Sequence, residues 1–125
     1  MERVYLSRNL RVDEVTCGCG CGFDNISDEL TQKFQKARDL FGEPIIITSG
    51  CRCTAHNEIV GGKTNSAHLK GLALDLAVYN PTPFKMQKLA FCLGRAGFER
   101  ADISTKQCYI HVDIDRSKPA GITGC

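Results

Sequence analysis

The chain has 125 residues, 42% of them hydrophobic and 24% charged, and its formal net charge is +2 at pH 7. This size and composition predict one globular domain and exclude two domains of ordinary size. The small positive charge excludes a broad basic surface for nucleic acid. Charged side chains interrupt every apolar run of residues 1–12, so we expect neither a signal peptide nor a membrane span, and we expect a soluble monomer.

The first predicted elements are a polar N-terminal arm, a helix and a strand. Ser27 is an N-cap residue, apolar positions recur at helical spacing after it, and Gly42 stops the helix. Those apolar positions are Leu30, Phe34, Ala37 and Phe41. The β-branched segment 44–49 predicts a short buried strand with Arg52 at its exit, and residues 54–60 predict one or two helical turns.

The next predicted elements are a second strand and a second long helix. In residues 72–78, large apolar residues alternate with small or polar ones, as they do in a half-buried strand. Asp75 would then point away from the core on a rigid support. Thr82 followed by proline starts an amphipathic helix that ends near residues 94–97.

The last predicted element is a hairpin. Its strands would be residues 98–104 and 108–113, and alternation places Tyr109, His111 and Asp113 on one strand face. Antiparallel pairing could bring His111 beside Asp75, since both lie on polar faces of otherwise apolar strands.

Two short segments could supply the ligands of one metal ion. Residues 66–75 carry His68 and Asp75, and residues 109–115 carry His111. Catalytic zinc typically has three N or O ligands plus a water, and two neutral imidazoles with a carboxylate suit that role. Taken singly, Asp75 and His111 each have a structural alternative: Asp75 would accept hydrogen bonds from turn amides, and His111 would lie at a sheet edge. The three together predict one zinc ion.

Eight cysteines in a chain of this length need an explanation. Disulfides, metal thiolates and reduced buried thiols are all compatible with the sequence. Cys17, Cys19 and Cys21 alternate with glycine and could hold a second, structural zinc together with one more cysteine. Their CxCxC spacing is tighter than the usual C-x₂₋₄-C knuckle. Cys51 and Cys108 could also pair with each other, or Cys108 could compete for the first zinc.

Three segments resemble the zinc-dependent D-alanyl-D-alanine carboxypeptidase family of metallopeptidases, including its short phage and bacterial members that cut peptidoglycan. They are SGCRCTAHNEIVGG, NSAHLKGLALDLAV and YIHVDID. The CGCGCGF stretch, the helix after it and the PIIITSG strand look like the opening of the short members. The resemblance implies that His68, Asp75 and His111 hold a single zinc ion. It also implies one domain over residues 1–125 with an α+β fold, a small antiparallel sheet with helices packed on it, similar to hedgehog-type and lysostaphin-type domains.

Arg52 and Ser66 are the candidate substrate-binding residues. Arg52 matches the arginine of the family's Ser-Gly-Tyr-Arg segment, which in relatives is thought to reach the carboxylate of the substrate. A guanidinium fork holds a carboxylate in two parallel hydrogen bonds. The alternative is that Arg52 is a surface arginine or a partner of a helix end. Ser66 is expected to fix the loop before His68 through its hydroxyl.

Hydrolysis also needs a general base. Larger relatives, including the vancomycin-resistance dipeptidases, carry an acidic residue three positions before the second zinc histidine, where this chain has Cys108. Asp113 is the first candidate because it shares a strand face with His111, and Asp102 on the partner strand is the second. Either could instead orient His111 through its other ring nitrogen. A thiol protease built on Cys108 and His111 is disfavoured, because strand positions three apart face opposite ways.

The leading hypothesis is a zinc metallopeptidase that hydrolyses amide bonds of peptidoglycan stem peptides, most simply a D-Ala-D-Ala carboxypeptidase. The alternatives are an endolysin-like peptidoglycan endopeptidase and a zinc-stabilised cell-wall-binding module without turnover. The expected partner is the stem peptide, with no nucleic acid and no membrane. Without an export signal the protein would stay in the cytoplasm until release, or would be phage-associated, before acting on the wall.

Overall fold

A computed structural model describes residues 5–104 and 106–124, and it confirms the expected α+β fold. The strands are β1 (Tyr5–Ser7), β2 (Leu10–Arg11), β3 (Ile46–Ser49), β4 (Ala73–Ala77), β5 (Arg100–Ser104), β6 (Tyr109–Asp113) and β7 (Gly121–Gly124). The helices are α1 (Val12–Val15), α2 (Asp28–Phe41), α3 (Thr54–Ile59) and α4 (Pro83–Arg95), and a 3₁₀ turn spans Ala67–Lys70.

The central sheet has the strand order β3-β4-β6-β5-β7. Its first three pairings are antiparallel and the last, between β5 and β7, is parallel. Asp75 lies directly opposite His111, and His111 lies directly opposite Asp102. Directly opposed residues share a face of a sheet, so these three side chains form one polar row across its centre.

The two long helices begin and end where the sequence predicts. The Ser27 hydroxyl accepts a hydrogen bond from the Leu30 amide at the start of α2, and Gly42 ends that helix with a left-handed φ of 75°. The Thr82 hydroxyl caps α4 in the same way. Their apolar faces and the apolar face of the sheet form the core, which includes Phe34, Phe41, Leu74, Leu76, Leu89, Leu93, Ile110 and Val112. Within the described ranges, no helix has the length and apolarity needed to cross a membrane.

The N-terminal arm is more than the polar segment expected from the sequence. β1 and β2 pair with each other, α1 follows, and the side chains of Leu10 and Val15 are fully buried. Elements of two to four residues are too short to show a helical or strand periodicity of apolar residues, so the sequence does not predict them. The Val15 carbonyl accepts a hydrogen bond from the Cys51 amide at 2.8 Å. The arm therefore supports the segment that carries Arg52.

The two edges of the sheet also differ from expectation. β3 is a half-buried edge strand rather than a buried one, and its Thr48 is exposed. At the other edge, β7 is a strand that the sequence does not predict. It is only four residues long and has a glycine at each end, and glycine carries little β-propensity, so its strand conformation depends on pairing with β5.

Candidate metal centre

His68, Asp75 and His111 converge on the polar face of the sheet. His68 Nε2 lies 3.2 Å from Asp75 Oδ1, and His111 Nδ1 lies 2.9 Å from the same oxygen. One ligand atom from each residue lies within 4.8 Å of the other two. Tetrahedral zinc with N or O bonds near 2.0 Å places its ligand atoms about 3.3 Å apart. The chemistry and the spacing of this donor set therefore fit zinc.

Local structure explains how the loop presents His68. The Ser66 hydroxyl accepts a hydrogen bond from the His68 amide at 3.2 Å, which caps the 3₁₀ turn. Gly71 ends the turn at a φ of 69°, and a Cβ there would lie 1.9 Å from the Asn25 carbonyl oxygen. Only glycine fits this position, so the glycine of the NSAHLKGLALDLAV segment fixes the turn that leads from His68 into β4.

The second nitrogen of each imidazole is held by the protein. His68 Nδ1 lies 2.6 Å from the Gly50 carbonyl oxygen, which can only accept, so Nδ1 carries a proton. His111 Nε2 lies 2.8 Å from Asp113 Oδ2. Partners of this kind fix the tautomer and the orientation of metal-binding histidines. Both rings are thereby set to present their other nitrogen toward Asp75.

The acidic and basic groups of the cluster stabilise each other's charged forms. Burial alone would raise the pKa of Asp75, but its interactions with the imidazoles of His111 and His68 outweigh burial and hold that pKa below its ordinary value. Burial alone would lower the pKa of His111, but its bonds to Asp113 and Asp75 raise it to about 9. A proton on His111 therefore balances the carboxylates in the metal-free protein, and a bound cation would replace that proton.

The two candidate bases occupy different environments. Asp113 is 1% exposed, and it accepts hydrogen bonds from Arg100, from the Asp115 amide and from His111, so both of its oxygens have partners. Burial opposes its ionisation, but the bond from His111 holds the pKa of Asp113 below its usual range. Asp102 is exposed, and its Oδ1 accepts from the Thr123 hydroxyl at 3.0 Å. These contacts favour Asp113 as an orienting group and leave Asp102 accessible.

Arg52 lies beside the cluster and is held in place from three sides. Its Nη2 is 3.4 Å from Asp75 Oδ2, its Nε is 3.2 Å from the Ser49 hydroxyl, and its Nη1 is 3.3 Å from Asn57 Oδ1. The side chain is 15% exposed. These bonds use three of the five N–H groups of a guanidinium. The arrangement fixes the orientation of the fork before any ligand arrives.

Sequence reasoning missed Asn57, which is buried and supports Arg52. Its Nδ2 donates to the Lys63 carbonyl at 2.9 Å, while its Oδ1 accepts from Arg52. A Cβ at Gly62 would lie 2.0 Å from that same Oδ1, so the second glycine of the Gly61-Gly62 pair makes room for the amide. The sequence signal that could have identified Asn57 is a polar residue in a short predicted helix that is followed by two glycines.

An open cleft contains the cluster and its neighbours. It is lined by Arg52, Ser66, His68, Asp75, Asp102, Tyr109, His111, Asp113 and Thr123, together with residues 61–63 and 118–121. The predicted site residues therefore share one cleft. Residues 118–121 and Thr123, which the sequence did not mark, contribute to its wall.

A histidine and carboxylate cluster in an open cleft is typical of metal-dependent hydrolases. The sequence model of the Peptidase M15 family matches residues 8–113, and the chain belongs to this family. Members are metal-dependent peptidases that act on peptidoglycan peptides, so the chain is a hydrolase of the metallopeptidase class. The match includes all three residues of the cluster and ends before β7. A search of curated proteins finds no match.

Proposed function

We propose that the protein is a zinc peptidase that releases the terminal D-alanine from peptidoglycan stem peptides ending in D-Ala-D-Ala. The observation that carries the proposal is the convergence of His68, Asp75 and His111 in an open cleft of a chain from the Peptidase M15 family. Family membership supports a peptidase of peptidoglycan. The contacts of Arg52 and Asp102 support the finer statement.

Three side chains would hold the zinc ion: His68 through Nε2, Asp75 through its carboxylate, and His111 through Nδ1. When bound, zinc supplies a Lewis acid for the scissile carbonyl and lowers the pKa of its water toward about 7. The Gly50 carbonyl and the Asp113 carboxylate would keep the two imidazoles oriented so that His68 Nε2 and His111 Nδ1 face the ion.

Arg52 would bind the terminal carboxylate of the substrate. Its fork is oriented in advance by Ser49, Asn57 and Asp75, and it lies 3.4 Å from a carboxylate oxygen of a proposed metal ligand. One extended residue spans about 3.5 Å. A carboxylate held at Arg52 would therefore place the last peptide bond of the substrate about one residue away, beside the proposed ligand Asp75. This geometry favours removal of a terminal residue over an internal cut.

Asp102 would serve as the general base, and Asp113 would serve as a positioning residue. Asp102 lies directly opposite His111 in the sheet, where opposed Cβ atoms are about 5 Å apart, and its side chain is exposed to the cleft. It would take a proton from the attacking water and pass it to the leaving amine. Although the sequence favours Asp113 first, the oxygens of Asp113 are occupied by Arg100, Asp115 and His111.

The test uses purified protein and a pentapeptide that ends in D-Ala-D-Ala, with added zinc or with a chelator, and the products are identified by mass. We expect free D-alanine with zinc and none with the chelator. The matched control is the same peptide with an amidated C-terminus, which should be cut poorly because Arg52 has no carboxylate to bind. An internal cut would replace the carboxypeptidase proposal with the endopeptidase. Binding to cell-wall sacculi without turnover would contradict both.

A further inference from the structure

A second cluster of potential metal ligands lies outside the cleft. The sulfur atoms of Cys17, Cys19, Cys21 and Cys53 all lie within 4.8 Å of one another. The Cys17 sulfur is 3.5 Å from that of Cys19 and 3.8 Å from that of Cys53, and the Cys19 and Cys53 sulfurs are 3.7 Å apart. This structure supplies the fourth cysteine that the sequence alone does not identify.

Backbone conformation explains how such a tight CxCxC spacing can close around one point. In an extended strand, the first and third cysteines would be separated by about 13 Å along the chain. Here Gly20 and Gly22 have φ values of 83° and 86°, and the Gly20 amide donates to the Cys17 carbonyl at 3.2 Å. Glycine adopts these left-handed values without strain. The segment therefore curls, and its cysteines face a common centre.

The spacing of the sulfurs is that of a tetrahedral metal site. Zinc bound to four thiolates at about 2.3 Å places its sulfur atoms about 3.8 Å apart. Two backbone amides also point at the cluster: the Cys53 amide is 3.4 Å from the Cys17 sulfur, and the His56 amide is 3.4 Å from the Cys53 sulfur. Such donors stabilise the negative charge of thiolates.

Burial separates this cluster from cysteines that only fill space. Cys92 is 5% exposed and belongs to the hydrophobic core, as a small apolar residue would. Cys19 and Cys21, in contrast, are exposed. Packing therefore does not explain why these two side chains turn toward Cys17 and Cys53.

We propose that Cys17, Cys19, Cys21 and Cys53 bind a structural zinc ion. Binding converts four thiols to thiolates and releases four protons, with no change of oxidation state. Four protein ligands leave no open position, so this ion does not take part in hydrolysis. It ties the loop after α1 to Cys53, the residue next to Arg52, and so helps to place the guanidinium beside Asp75. The inference does not depend on the proposed peptidase activity.

The experiment is elemental analysis of protein purified under reducing conditions without a chelator. The wild type is expected to carry two zinc ions per chain. The double variant His68→Ala/His111→Ala should keep one, and adding Cys19→Ser and Cys21→Ser should remove it. These two cysteines are exposed, so serine there should be tolerated by the fold. The matched control, Cys92→Ala added to the same double variant, should still keep one zinc ion.

A second measurement tests the ligands directly. Cobalt loaded into the His68→Ala/His111→Ala variant should show intense thiolate-to-cobalt charge-transfer absorption, and thiol-specific reagents should modify four more cysteines after chelation than before. The proposal is overturned if this variant holds no zinc, if it holds iron instead, or if the intact mass shows that these cysteines form disulfides.

Discussion

The histidine cluster in the cleft and the cysteine cluster beside it differ in what holds their ligands in place. Asp75 and His111 lie on adjacent paired strands, and the register of the sheet sets their separation before any ion binds. Cys17, Cys19 and Cys21 lie on a loop whose shape depends on a few turns. The first arrangement suits a site that must stay open to substrate, while the second suits an ion that stabilises the loop around it. Loss of one should abolish activity, and loss of the other should mainly lower stability.

The largest expected effect is loss of activity in Asp75→Ala. This change removes a proposed zinc ligand and the partner of both imidazoles and Arg52. The rate should fall by at least about 10⁴-fold, which is the upper end of what acid–base catalysis alone contributes. Turnover of the pentapeptide measures the loss, and Asp39→Ala on the exposed face of α2 is the control. A variant that keeps substantial zinc-dependent turnover would remove Asp75 from the site.

The next largest effect separates the two aspartates that flank His111. Asp102→Asn should lower kcat by about 10²-fold or more while zinc stays bound. Asp113→Asn should weaken zinc binding by about 10- to 100-fold, because the partner that orients His111 is altered, and at saturating zinc kcat should largely recover. Titrations of activity against zinc measure both. The reverse pattern would make Asp113 the base and Asp102 a structural residue.

Local sequence signals predicted the parts of the fold that position the histidine cluster. Alternation in β4 and β6 placed Asp75 and His111 on polar faces, and strand pairing then brought them together. Ser27 and Gly42 predicted the ends of α2 because helix caps are local: Ser27 accepts from a backbone amide three residues on, and Gly42 adopts the left-handed conformation that ends the helix.

Two features of the sites depend on long-range contacts and could not be predicted from the sequence: the fourth cysteine of the cysteine cluster and the choice between Asp102 and Asp113. Cys53 meets Cys17 where the end of α1 contacts the segment after β3, and the Cys51 amide donates to the Val15 carbonyl there. The preference for Asp102 over Asp113 depends on Arg100, which reaches Asp113 across the β5–β6 pairing. No periodic pattern reports such contacts.

The cysteine cluster should control stability rather than chemistry. In the His68→Ala/His111→Ala variant, a chelator should lower the melting temperature by about 10 °C or more, since an ion at 1,000 times its dissociation constant stabilises a fold by about 4 kcal/mol. The same variant with Cys19→Ser and Cys21→Ser should melt at the lower temperature with or without the chelator. Calorimetry measures both. Equal melting temperatures for all samples would show that no stabilising ion binds there.

A smaller effect is the opposite pH dependence of the metal-free and zinc-bound states of the histidine cluster. In the metal-free folded protein the pKa of His111 is raised from 6.5 to about 9. Protonated His111 therefore stabilises the metal-free fold fully below pH 6.5, and this contribution is lost as the pH rises through about 9. The loss is at most about 3 to 4 kcal/mol, at about 1.4 kcal/mol per pKa unit. Zinc must displace that proton, so zinc affinity should rise over the same range. Denaturant unfolding in chelator measures the first trend, and His111→Gln should remove it.

The smallest effect tests the residue that links the two clusters. Arg52→Lys keeps the charge but loses the fork, so KM for the pentapeptide should rise about 10-fold, the lower end of what a charged hydrogen bond contributes, with kcat little changed. The amidated pentapeptide should show no such difference between the variant and the wild type. Because Cys53 follows Arg52 directly, emptying the cysteine cluster through Cys19→Ser and Cys21→Ser, with zinc present for the histidine cluster, should raise KM in the same direction in the wild-type background and not in Arg52→Lys. A rise in KM that is equal for both peptides would mean that Arg52 supports Asp75 rather than the carboxylate of the substrate.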